Sequence, residues 1–166
     1  MSSDQVDDVD ARFAILFAQQ RLPALRLAYV LCGDAQSAED VVAEAFARMY
    51  PAWRRGRIDD PVAYLRRAVV NEVRGGFRKL GVRRRHETGS PSTVPADGRI
   101  EDREVLRSAL MTLPPRQRAA VALRFLEDLS EADTAAALGV SVGTVKSQVS
   151  RGLDLLRAAL AVRDAR

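Results

Sequence analysis

Apolar residues recur along this chain at intervals of three and four, and almost nowhere at intervals of two. That spacing lines one face of a helix and leaves a strand without a consistent inside. From Ala38 the series is Ala38, Val41, Val42, Ala45, Phe46 and Met49, and Ser37 with Asp40 reads as a capping box at its start. Ala11–Gln20 and Pro23–Cys32 form two shorter apolar-faced segments ahead of it, with Gly33 placed as a helix stop. Asp59-Asp60-Pro61 opens a further helix with carboxylates before the first turn and Pro at its first position. The stripe of that helix is Leu65, Val69, Val73, Phe77 and Leu80, with Gly75-Gly76 as a point of weakness. Residues 81–100 change texture to Arg, Ser, Pro, Thr and Gly, the composition of a flexible linker. Beyond it, Glu101–Met111, a segment from Pro114-Pro115 to about Leu126, Ser130–Leu138 and Ser141–Leu160 are helical in pattern. The expected fold is all-α: two small helical domains, 1–80 and 101–166, joined by the linker 81–100.

Charge is distributed unevenly along this framework. The net charge of +4 conceals three segments. Residues 1–53 carry four basic and eight acidic side chains, residues 54–85 eleven and three, and residues 86–166 eleven of each. A basic block that dense points to a polyanion. One Cys and one His exclude a disulfide framework and a multi-thiolate or multi-histidine metal site. Cys32, on an apolar face, is expected in the core rather than as a redox sensor. His86 falls in the linker with no visible role. No apolar run approaches the ~18 residues of a membrane span, and the acidic N-terminus does not read as a signal peptide. A soluble, cytoplasmic protein with no cofactor is expected.

The densest local signal is the run from Ser130 to Leu156. Ser130 with Asp133 caps one helix, small Ala135 and Ala136 permit close approach, and Gly139 supplies a left-handed turn. Ser141 caps the next helix, which is expected to bury Val142, Val145, Val149, Leu153 and Leu156. Its other face holds Thr144, Lys146, Ser147, Gln148, Ser150 and Arg151, all hydrogen-bonding or cationic. This is a helix-turn-helix whose second helix suits a DNA major groove. Gln148 and Arg151 are placed to read base edges, and Lys146, Ser147 and the capping amides to hold phosphates, with Ser141 and Thr144 in the same DNA-binding set.

Leu113-Pro114-Pro115-Arg116-Gln117-Arg118, followed by the Ser-Val-Gly-Thr-Val-Lys-Ser core at 141–147, resembles the C-terminal domain of extracytoplasmic-function (ECF) sigma factors of bacterial RNA polymerase. Leu27-Ala28-Tyr29, Ala38-Glu39-Asp40-Val41-Val42-Ala43-Glu44-Ala45-Phe46 and Pro61-Val62-Ala63-Tyr64-Leu65-Arg66-Arg67 resemble the N-terminal domain, in the same order. The phrases Leu129-Ser130-Glu131-Ala132 and Gln148–Leu153 are most similar to an actinobacterial branch.

The resemblance implies a promoter-specificity subunit without catalysis. Glu39, Asp40, Ala43, Glu44 and Ala47 would dock on the coiled coil of the largest polymerase subunit. Arg67, Asn71, Arg74 and Arg78 form a polar and cationic stripe at i, i+4, i+7 and i+11. With Tyr64 as a stacking surface, they would hold the opened minus-ten strand. The helix-turn-helix would read the minus-thirty-five duplex, Arg83-Arg84-Arg85 would follow nucleic acid backbone, and an anti-sigma protein would be the expected inhibitor. The residues also admit a dimeric helix-turn-helix regulator acting without polymerase, though that leaves the basic 61–85 block without a task. An enzyme has little footing, because no Gly-rich phosphate loop is present and the carboxylates lack His companions.

Overall fold

The computed structural model describes residues 3–80 and 100–164, with side chains over 8–76 and 104–162. The expected linker, Arg83-Arg84-Arg85 and His86 lie outside the described residues, as do the side chains of Phe77, Arg78 and Leu80. Seven helices and no strand are found among the described residues: α1 (Ser3–Cys32), α2 (Ala35–Arg54), α3 (Pro61–Leu80), α4 (Ile100–Met111), α5 (Pro115–Phe125), α6 (Glu131–Leu138) and α7 (Val142–Asp164). None is long and apolar enough to cross a membrane.

Two local expectations are corrected. The segments 11–20 and 23–32 are one helix that passes through Pro23. An interior Pro removes a backbone bond and costs ~3 kcal/mol. Here the residues just beyond it, Ala24, Leu25, Leu27 and Ala28, are all buried, and that packing holds the helix across the gap. The cap of α2 is Asp34 rather than Ser37: the Ser37 N–H donates to Asp34 Oδ1 at 2.8 Å. Gly33, at φ +86°, turns the chain between α1 and this cap. The expected start of α3 holds, since the Ala63 N–H donates to Asp60 Oδ1 at 3.0 Å.

Helices α1, α2 and α3 pack on one another around Leu27, Leu31, Phe46, Met49, Leu65 and Val69. Aromatic rings fill the outer end: Phe13 lies 5.0 Å from Tyr50 and 5.7 Å from Trp53, and Phe17 lies 4.8 Å from Phe46. All three pairs are tilted or edge-on, the arrangement ring quadrupoles favour. Polar tips anchor the same end, with Trp53 Nε1 donating to the Val9 carbonyl and the Tyr50 hydroxyl to Asp10.

The second half is built from small residues. Ala119, Ala120 and Ala122 of α5 are buried, and α7 crosses α5 at Gly152. A Cβ there would lie 2.8 Å from Val121 Cγ2, so only Gly permits the approach. On α6 it is Ala135 and Ala137 that are buried, while Ala136 is exposed. The α7 stripe is buried at Val145 and half-buried at Val149, Leu153 and Leu156, whereas Val142, in the first turn, is exposed.

The two halves are packed together. One continuous apolar cluster runs from α1, α2 and α3 into α5, α6 and α7, and Cys32 is buried within it. Gly33 sits against Met111 of α4, so closely that a Cβ would meet its methyl carbon at 2.5 Å.

Candidate nucleic-acid interface

The helix-turn-helix is fixed by three local devices. Ser130 Oγ accepts from the Asp133 N–H at 3.0 Å and donates to Asp133 Oδ2 at 2.6 Å, a variation on the capping box in which the carboxylate accepts a hydrogen bond from the hydroxyl. Gly139 ends α6 at φ 64°, ψ 40°, and the Val140 N–H returns to the Ala135 carbonyl at 3.1 Å. Both are features of a left-handed helix stop. Ser141 Oγ then accepts from the Thr144 N–H at 3.1 Å, leaving other first-turn amides of α7 directed outward, where a helix favours anions.

On the outer face of α7, Lys146, Ser147, Ser150 and Arg151 are exposed, and Thr144 and Gln148 are half-buried. Thr144, Ser147, Gln148 and Arg151 follow helical spacing along one side. Ser147 Oγ bonds back to the Thr144 carbonyl at 3.0 Å, and Lys146 Nζ lies 3.5 Å from Glu131 of α6. Arg151 makes no hydrogen bond or ion pair among the described residues. An α-helix is ~10–12 Å across with its side chains, and a major groove of ~12 Å width admits it.

The α3 stripe is presented differently. Arg67 and Asn71 are exposed without a partner among the described residues, and Tyr64 is exposed at 37%. Arg74 is half-buried, and its Nη1 donates to the Leu138 carbonyl at 2.6 Å. Leu138 is the last residue of α6, so this member of the stripe caps a helix of the other half. The acidic face of α2 is exposed as its periodicity implies, Ala43 and Ala47 included. Two of its carboxylates already have cations: Glu39 pairs with Arg21 at 3.0 Å, and Glu44 with Arg48 at 2.8 Å. Arg48 also reaches Glu72 of α3 at 2.9 Å. Its guanidinium is held above its ordinary pKa, first by the Glu44 hydrogen bond and then by the charge of Glu72.

Sequence reasoning missed Arg66, Arg107 and Arg118. Arg118 is buried and donates to four carbonyls: Leu110, Met111 and Leu113 of its own half, and Leu31 of α1 at 2.7 Å. Burial lowers its pKa, partly offset by the charge of nearby Cys32. Arg107 Nη1 donates to the Gly33 carbonyl at 3.0 Å, and Arg66 pairs with Glu127 at 3.1 Å. Carbonyls carry no side-chain signature, so only the preceding Leu-Pro-Pro turn hinted that an adjacent Arg had a structural partner.

These features define a two-part helical DNA-binding protein, with a helix-turn-helix in one part and a basic helix beside an acidic one in the other. Known families divide the chain similarly. Residues 16–83 match Sigma-70 region 2, and residues 103–156 match Sigma-70, region 4. The RNA polymerase sigma-E factor of Streptomyces coelicolor is 39% identical over 146 residues, covering 84% of this chain and 81% of the relative. The ECF RNA polymerase sigma factor SigM of Mycobacterium tuberculosis is 34% identical, over 84% and 72% of the two chains. Among solved structures, the sigma factor RpoE of Bartonella quintana, in complex with the anti-sigma factor NepR, superposes with TM-score 0.73 at 28% identity, over 91% of this chain and 98% of that one.

The chain belongs to the ECF sigma factors, with relatives in Streptomyces and mycobacteria. It is a sigma factor that directs promoter-specific transcription initiation by RNA polymerase.

Proposed function

We propose a division of labour among three helices, within N-terminal (1–80), linker (81–100) and C-terminal (101–166) segments. On α7, Ser141, Thr144, Lys146, Ser147, Gln148 and Arg151 read the minus-thirty-five duplex. On α3, Tyr64, Arg67, Asn71, Arg74 and Arg78 hold the opened minus-ten strand. On α2, Glu39, Asp40, Ala43, Glu44 and Ala47 dock on the largest polymerase subunit. The protein works in the cytoplasm without catalysis of its own, and an anti-sigma factor is its inhibitor, as NepR accompanies the similar RpoE.

The observation that carries this reading is the outer face of α7. A helix capped by Ser141, two residues after a left-handed Gly139, presents Arg151 with no partner among the described residues, beside Gln148 and Thr144. Two weak DNA contacts on one chain give selectivity that neither has alone, and polymerase supplies the remaining affinity.

Run-off transcription with purified core polymerase tests the reading, on a promoter mapped after overexpression. The expected result is a discrete transcript that requires both proteins. Operator binding by a dimer, with no association with core polymerase, would instead favour a conventional regulator.

A further inference from the structure

The outer face of α1 carries an apolar stripe that nothing among the described residues covers. The core-facing side of this helix holds Leu16, Leu27, Ala28 and Leu31, and Arg21 turns towards α2 to pair with Glu39. On the remaining side, Ala11, Ile15, Ala18 and Leu22 recur at i, i+4, i+7 and i+11 and are all exposed, Ile15 at 58%. Single exposed apolar residues are ordinary, whereas an aligned row marks a contact. Spacing of three and four is the seam along which two helices interdigitate. Charged residues close the stripe at both ends, Asp8 three residues before Ala11 and Arg26 four residues after Leu22. Arg26 is exposed and makes no hydrogen bond or ion pair among the described residues. Asp8 is loosely paired with Arg12 at 3.9 Å, both side chains remaining mostly exposed.

We infer that this stripe is a self-association surface, on which a second copy of the chain lays its own α1 antiparallel to the first. Side-chain size selects the direction. Reversed, the stripe reads Leu22, Ala18, Ile15, Ala11, so Leu22 of one copy meets Ala11 of the other and Ile15 meets Ala18. Each large side chain falls against a small one, which fills the seam without voids. A parallel pair would set Ile15 on Ile15 and leave gaps where Ala18 meets Ala18. Charge selects the same direction. The antiparallel alignment brings Asp8 of each copy to Arg26 of the other, two ion pairs by symmetry. A parallel one would oppose Asp8 to Asp8 and Arg26 to Arg26. Within one chain these two residues are about 27 Å apart along the helix and cannot meet. About five turns per copy make a contact smaller than the ~1,600 Å² of a standard interface, so the association expected is micromolar and reversible.

The inference is independent of the promoter reading, since its test contains neither DNA nor polymerase. Sedimentation velocity of the full-length chain across the micromolar range should show a concentration-dependent shift from 18.2 kDa towards twice that mass. Asp8→Arg or Arg26→Glu alone should weaken association about ten-fold, by turning two attractions into repulsions. A mere effect of net charge would move these two variants in opposite directions. Combining them exchanges the charges and should restore wild-type association. Ala18→Leu keeps helix propensity nearly unchanged and adds exposed apolar surface. It should nonetheless weaken association about ten-fold, because a large side chain then meets Ile15 of the second copy.

A chain that stays at 18.2 kDa throughout would overturn the inference. So would tighter association of Ala18→Leu, the sign of unspecific apolar contact. Failure of the double charge variant to recover would overturn the antiparallel alignment. Association that none of the single changes weakens would place the interface elsewhere and overturn the role of α1.

Discussion

Helices α3 and α7 carry similar chemistry and present it in opposite ways. Both are long, both bury one apolar stripe, and both line the other side with guanidinium and amide groups. On α7 the polar face stands clear, with Arg151 uncommitted and the first turn organised by Ser141. On α3 the same kinds of side chain are divided: Arg67 and Asn71 face solvent, while Arg66 and Arg74 are taken up by α5–α6 residues. Sequence pattern therefore specifies which face of a helix is polar but not whether that face is open. In this molecule the polar face of α7 is open and that of α3 is partly engaged.

The largest expected effect lies at the joint between the halves. Arg118→Met should cost about 3 kcal/mol, because four buried or part-buried carbonyls lose their donor at once. Urea unfolding should show the loss in both halves, since Arg118 binds α1 as well as its own turn. A loss confined to the C-terminal half would mean that the contact with Leu31 contributes little. Gly139→Val should cost ~1–2 kcal/mol by forcing a branched residue into a left-handed conformation. It should weaken duplex recognition while sparing the α3 surface, as assayed by thermal melting and by binding to upstream duplex. Ser141→Ala should cost ~1 kcal/mol through the lost cap, with a parallel loss of duplex affinity.

The smallest effect concerns pH and the N-terminal half alone. Donation to Asp10 is the main cause of a raised Tyr50 pKa, followed by desolvation. A group whose pKa is higher in the folded state contributes stability below its unfolded value of about 10 and loses it as pH rises through the folded value. Wild type should therefore lose stability in alkali more steeply than Tyr50→Phe, as followed by circular dichroism. Identical alkaline profiles would mean that this hydrogen bond is not maintained in solution.

What could be read from the sequence was local. Gly139, Ser130, Ser141 and Asp60 act through neighbours a few residues away, and each works where its pattern implied. Asp34 was missed because Ser37 offered a rival cap three residues later; the adjacent left-handed Gly33 is the signal that separates them. Pro23 misled for the opposite reason, since a local helix breaker is overridden by burial of the residues around it. The arginine contacts between the halves left almost no trace, because their acceptors are mainly backbone carbonyls far away in the chain. Exposure of the α7 face followed from periodicity, whereas partial occupancy of α3 required the packing of one half on the other.

The central claim is the division of labour between α7 and α3, and Arg151→Ala and Asn71→Ala in reconstituted holoenzyme test it most directly. Protection of the upstream duplex and permanganate reactivity of the minus-ten region would be measured on the same promoter. Arg151→Ala should weaken upstream protection, with opening recovered at saturating holoenzyme. Asn71→Ala should leave upstream protection intact and impair opening at every concentration. Equal loss of both signals from each substitution would contradict the assignment.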